Sequence, residues 1–211
     1  MGTEKIQGNK IFNIDKESEL PPVESHTIIL YEKSETEGSI FTFGGYHKGK
    51  YLNTMTEFKI EQASCVKIEI DKELPAPVGR ISHAMAIIKD NIYIHGGESS
   101  DGIYLSDLWT FSITNKTWTE IVVETETPKA RSGHTMIAYN NSLYLFGGKT
   151  GNIHETNELW KFDIEKNKYE LKHDTLLEQY TEQEIKSMMS NKKEGEEMGK
   201  KSPKNTTSKL L

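Results

Sequence analysis

Arginine, serine and histidine come together twice in this chain, each time just ahead of an apolar, strand-like run. The stretch GRISHAMAII carries Arg80, Ser82 and His83, and ARSGHTMIAY carries Arg131, Ser132 and His134. A guanidinium grips a carboxylate through two parallel hydrogen bonds, so an arginine held in a fixed register either recognises acidic groups or clamps the fold. Imidazole is the commonest metal ligand, and His26 makes a third histidine in the corresponding place. Three such histidines near a common axis could hold a metal ion. Against that, no Asp, Glu or Cys recurs beside them as a co-ligand, and repetition of one unit accounts for all three. No Ser-His-Asp order, HExxH, phosphate loop or paired-carboxylate pattern is present. No catalytic residue, metal ligand or cofactor is therefore assigned.

Composition narrows the classes. The chain has 211 residues, 35% of them hydrophobic, enough for a domain of ordinary size with a real core. Its formal net charge of −6 and the lack of a basic stripe argue against a nucleic acid as the main partner. Cys65 is the single cysteine, which excludes an intrachain disulfide and suits a reducing compartment. MGTEKIQGNK has no apolar core of a signal peptide, and no run approaches 18 apolar residues, so a cytoplasmic protein without a membrane segment is expected.

The elements that position these residues repeat as well. FTFGG, IYIHGG and LYLFGG are apolar runs ending in Gly44-Gly45, Gly96-Gly97 and Gly147-Gly148. Gly44 and Gly96 are 52 residues apart, Gly96 and Gly147 are 51 apart, and His83 and His134 each precede their pair by 13 residues. These are lengths of propeller blades. Downstream, Trp109 with Phe111 and Trp160 with Phe162 alternate on one strand face, and a second aromatic follows nine residues after each Trp, at Trp118 and Tyr169. Each unit reads as four short antiparallel strands, with Asx-rich turns at Asp90 and Asn140. The glycine pairs read as packing positions that permit a tight exit beneath large aromatics, because glycine tolerates φ > 0 and close approach.

On these residues the chain resembles the kelch family of β-propellers, over roughly residues 20 to 173. The resemblance implies an all-β fold of three four-stranded antiparallel blades at about 20–72, 73–124 and 125–173, an incomplete ring because propellers close with four to eight blades. The first unit departs from the pattern: Val23 stands where Arg is expected, Thr56 replaces the strand Trp, Cys65 takes the second aromatic position, and its first hairpin is longer. Residues 1–19 hold one further strand-like stretch, KIFNI at 10–14, that could complete a blade from outside. Residues 174–190 have helical composition and an apolar stripe, and 191–211 are polar enough to be a disordered tail.

The resemblance further implies a protein-interaction module, holding a peptide or protein partner through loops and the starts of inner strands. Carried over by position, the binding residues are Arg80, Ser82, Arg131 and Ser132, with Glu98, Asp101 and Lys149 in the adjoining loops. An arginine pair there suits an acidic motif, whereas the structural alternative is that both arginines bond between blades. A different class remains open, a metal- or small-molecule-dependent enzyme using the channel. Galactose-oxidase-like enzymes share such blades but need a cysteine joined to a tyrosine at the metal, and Cys65 falls on an outermost strand. An open arc leaves its end faces unburied, so either two arcs pair as a homodimer, or the chain is a piece of a larger propeller, or a different partner completes the ring, the first two standing level.

Overall fold

The computed structural model describes residues 3–7 and 10–14 as backbone and residues 22–151 and 154–174 in full. Chain contacts divide it into two units, Met1–Lys172 and His173–Leu211. The expected helix and tail lie outside the described residues apart from Asp174.

Strands β1 (Thr3–Gln7) and β2 (Lys10–Ile14) pair with each other in a two-stranded sheet, so KIFNI is a strand but pairs with its own neighbour instead of completing a blade. Blade one is the meander β3 (Thr27–Ser34), β4 (Glu37–Phe43), β7 (Met55–Lys59) and β8 (Ser64–Ile68), with a small hairpin β5 (Tyr46–His47) and β6 (Lys50–Tyr51) between its middle strands. After β9 (Arg80–Ile81), blade two is β10 (Ala84–Ile88), β11 (Asn91–Ser99), β12 (Tyr104–Ser112) and β13 (Thr117–Glu120). Blade three is β14 (Thr135–Tyr139), β15 (Ser142–Phe146), β16 (Leu159–Asp163) and β17 (Lys168–His173). Within each blade the four main strands lie side by side in chain order, with β4 meeting β7 across the small β5–β6 hairpin and β9 adding to β11. The turn residues Lys89 and Asn140 hold φ of 53° and 52° at equivalent places, a conformation Asn accepts more easily than most residues.

Alternation along the strands gives each blade two apolar faces, and the faces meet in two separate cores. Thr27, Ile29 and Tyr31 of β3 share a face with Phe41, Phe43 and Met55 through the register of the sheet. That face packs on Met85, Ile92, Ile94, Trp109, Phe111 and Trp118 of blade two. The opposite face of blade two, carrying Ala84, Ala86, Tyr93 and Leu108, packs on Met136, Leu143, Leu145, Trp160, Phe162 and Tyr169 of blade three. Burial of side chains this large contributes about 1.5 to 3 kcal/mol each, so the blades hold one another rather than standing alone. β3 lies beside β10 and β10 beside β14, which makes the first strand of every blade the inner one.

The two end faces are left open. On blade one Ile28 is 60% exposed and Leu30 47%; on blade three Ile137 and Tyr139 are 64% exposed and Phe146 50%.

Candidate functional site

The arginines of the repeat are at the centre of a three-residue cluster that recurs in blades two and three. Arg80 donates from Nη1 to Asp107 Oδ1 and from Nη2 to Asp107 Oδ2, both at 2.7 Å, and from Nη1 to the Gly96 carbonyl at 3.0 Å. Its Nε reaches the Val78 carbonyl at 3.1 Å, and Trp109 Nε1 donates to Asp107 Oδ2 at 2.8 Å. Blade three repeats this: Arg131 donates to Glu158 Oε2 at 2.5 Å, to Gly147 O at 3.0 Å and to Lys129 O at 3.1 Å, and Trp160 Nε1 donates to Glu158 Oε2 at 2.8 Å. Burial works against ionisation of Glu158, but the bonds from Trp160 and Arg131 outweigh it and hold its carboxyl below the usual carboxylate value.

This corrects the expectation that Arg80 and Arg131 face an acidic ligand. Both side chains are fully buried, and their charges are spent on carboxylates of their own blade. Removing a guanidinium from water is tolerated only when its donors are met, and the carboxylate and backbone carbonyls meet them. Between blades it is the backbone of each arginine that takes part: Gly45 N–H donates to Arg80 O at 2.8 Å, and Gly97 N–H to Arg131 O at 2.9 Å. The acidic members, Asp107 and Glu158, were missed from sequence. The available signal was the same 27-residue separation from Arg in both blades, two residues ahead of Trp.

The histidines sit on the seams. His83 meets the edge of Phe43 across the first seam at a centroid distance of 5.4 Å, and its Nε2 lies 2.5 Å from Thr27 Oγ1. His134 meets His95 across the second at 5.0 Å, with 3.0 Å between His134 Nε2 and His95 Nδ1. Burial, reinforced by Arg80 and Arg131 respectively, lowers His83 and His134 to about 3, so both are neutral at ordinary pH; His95 is lowered by burial as well. Among the described residues no group of three His, Cys, Asp or Glu is placed to hold a metal ion. Cys65 lies on β8, the outer strand of blade one, and burial raises its thiol, away from nucleophilic activation.

Gly44 and Gly96 are crowded by the next blade's backbone and histidine, and Gly45, Gly97 and Gly148 by the backbone and histidine of their own blade, not by the large aromatics expected from sequence. A Cβ on Gly44 would lie 2.7 Å from Arg80 O and 2.8 Å from His83 Cε1; on Gly96 it would lie 2.7 Å from Arg131 O and 3.0 Å from His134 Cε1. Trp109, Trp118, Trp160 and Tyr169 are all buried in the seams.

Blade one lacks the cluster as a unit. At the places of Arg, acid and Trp it has Val23, Thr54 and Thr56. The missing bulk leaves a cavity of about 210 Å³ lined by Val23, His26, Thr42, Gly44, Leu52, Thr54 and Thr56. No charged side chain lines it.

The loops that follow the glycine pairs form one rim with the segments leading into each inner strand. Glu24 and Tyr46 exchange backbone bonds of 3.2 and 2.9 Å, Ser132 and Lys149 exchange bonds of 3.0 and 2.8 Å, and β9 pairs with Glu98 and Ser99 of β11. Ser82 and Glu98 are half-buried there, Ser132 is buried, and Asp101 and Lys149 are exposed.

Residues 25–192 match a family model described as the KLHDC2/KLHL20/DRC7 Kelch-repeats domain. Putative protein tag-53 of Caenorhabditis elegans is 38% identical over 102 residues, which cover 44% of this chain and 8% of that protein. Leucine-zipper-like transcriptional regulator 1 of Homo sapiens is 29% identical over 134 residues, 60% of this chain and 16% of the relative. The Rab9 effector protein with kelch motifs of Xenopus laevis is 28% identical over 142 residues, 66% of this chain and 37% of the relative. The chain thus spans well under half the length of these relatives.

Proposed function

The chain belongs to the kelch-repeat family, and from that premise we propose that it is a protein-interaction module whose rim holds a protein or peptide partner. The observation that supports this most is the clamping of each rim loop, by backbone hydrogen bonds, to the segment leading into its own blade. A loop fixed in this way presents its side chains without a large ordering cost on binding. Aromatic, Gly and His positions are committed to the seams and the Arg side chains to clamps within their own blades, so the rim side chains are the ones free to specify a partner. Glu98, Asp101 and Lys149, beside the backbone of Ser82 and Ser132, are the residues assigned to contact it. They carry both signs of charge, so the partner surface is mixed and polar. A relative named for its action as a Rab9 effector, itself carrying kelch motifs, agrees with such a role. The module works in the cytoplasm and carries out no turnover in this reading.

The test is affinity capture from lysate with the wild type and with a Glu98→Lys, Asp101→Lys, Lys149→Glu variant that melts like the wild type. Loss of specific partners is expected. Identical partner profiles would overturn the rim assignment.

A further inference from the structure

We propose that two copies of this chain close head to tail into a six-bladed ring, the open face of blade three in each copy packing on the open face of blade one in the other. The proposal is independent of what the rim binds.

The open face of blade three is a copy of a face that is already buried within the chain. Thr135, Ile137, Tyr139, Tyr144 and Phe146 occupy the positions of Thr27, Ile29, Tyr31, Phe41 and Phe43. In blade one those residues pack on blade two. In blade three Ile137, Tyr139 and Phe146 face solvent. The residue that receives the first set is the histidine of the following blade, since His83 touches both Thr27 and Phe43. Among the described residues the seam histidine that no blade packs against is His26, and the Thr and Phe that face no histidine are Thr135 and Phe146. Head-to-tail pairing joins these three and re-forms the contact of the first seam.

The backbone is prepared for the same seam. Each existing seam uses the second glycine N–H on the Arg carbonyl, and a residue of positive φ ahead of the His: Ser82 N–H bonds Ser25 O, and Gly133 N–H bonds Ser82 O. The corresponding groups at the ends are Gly148 N–H, Val23 C=O and Ser25 N–H, and Ser25 already holds φ of 56°, like Ser82 at 51°. Gly147 holds φ of 71°, within 10° of Gly96 at 61°, yet its nearest neighbour for an added Cβ is Thr156 O at 3.4 Å. The space that Arg131 O and His134 occupy beside Gly96 is open beside Gly147.

Bulk is complementary as well. The exposed face of blade three is large, whereas blade one offers Thr42, Thr56 and Cys65, where blade two has Ile94, Trp109 and Trp118, together with the 210 Å³ cavity beside His26. Tyr and Phe side chains filling that space would bury area on both sides. A head-to-tail contact forms a closed ring when its rotation closes, and two three-bladed arcs give six blades, within the range of propellers.

Light scattering on the full chain through the micromolar range tests this. A mass of twice 24.1 kDa is expected. Phe146→Glu and Ile28→Glu, both at exposed positions and checked for wild-type melting, should each run at the monomer mass. An equimolar mixture of the two should recover dimer, because the intact tail of one meets the intact head of the other. A monomeric wild type would overturn the proposal, with the faces then left to a different protein or further blades. So would a dimer that survives both substitutions, a mixture that stays monomeric, or a mass that grows beyond two copies.

Discussion

Arg80 and Asp107 hold each other through two parallel bonds of 2.7 Å across 27 residues of sequence, with the guanidinium fully buried. The pair ties the segment leading into β10 to the middle of β12, the third strand of the same blade, and Trp109 completes it. Its energetic weight lies in the loss of either partner more than in the pair itself, because a single survivor is an uncompensated charge.

Arg80→Leu should therefore destabilise the fold by about 3 kcal/mol, the lower end for a broken buried pair, since Asp107 keeps some exposure to water. Adding Asp107→Thr should recover part of that loss, Val and Thr being what blade one holds at these two places. A double-mutant cycle by urea unfolding reads the coupling, and additive single effects would contradict it.

Gly96→Ala should cost more than Gly147→Ala. Both glycines sit at positive φ, where a Cβ strains the backbone by about 1 to 3 kcal/mol. Only at Gly96 does the added carbon also meet Arg131 O at 2.7 Å. Measured in the Phe146→Glu background, so that no second copy fills the space, the two melting temperatures should separate by several degrees. Equal losses would show that the neighbouring blade does not crowd Gly96.

Acid should weaken the fold before its carboxylates are protonated. An unfolded chain protonates His83 and His134 near pH 6.5, whereas the folded chain keeps them neutral down to about 3. Between these values the unfolded state binds more protons, so stability is full above about pH 6.5 and falls as pH drops toward 3. The slope is at most about 1.4 kcal/mol per pH unit for each histidine. Urea midpoints from pH 7 to 4.5 should decline for the wild type and decline less steeply for His83→Gln with His134→Gln. An unchanged slope in that variant would place the acid sensitivity elsewhere.

Much of the architecture was legible because its signals are local and repeat. Gly-Gly after an apolar run, His thirteen residues before it, and Trp-x-Phe after it each mark a strand end or a strand face. The Gly pair recurs three times at one period and the other two signals twice in one register, which leaves few folds that accommodate them all. The departures of blade one were legible as well, in Val23, Thr56 and Cys65, although their joint consequence, a cavity, was not. The arginines show where this stops. Register made Arg80 and Arg131 equivalent, but it said nothing about which way they point.

Strand periodicity and turn chemistry act between residues close along the chain, so the blade as repeating unit, the number of units and the packing positions could all be read from the order of residues. The folded blades were needed to learn that the arginines are internal clamps on Asp107 and Glu158, that the histidines sit on seams, and which residues the open end faces of blades one and three expose. Those outcomes depend on how β11 lies against β12 and how one blade meets the next. They are contacts between groups tens of residues apart, where desolvation and the geometry of the neighbouring face select the partner, and no spacing within one segment encodes them.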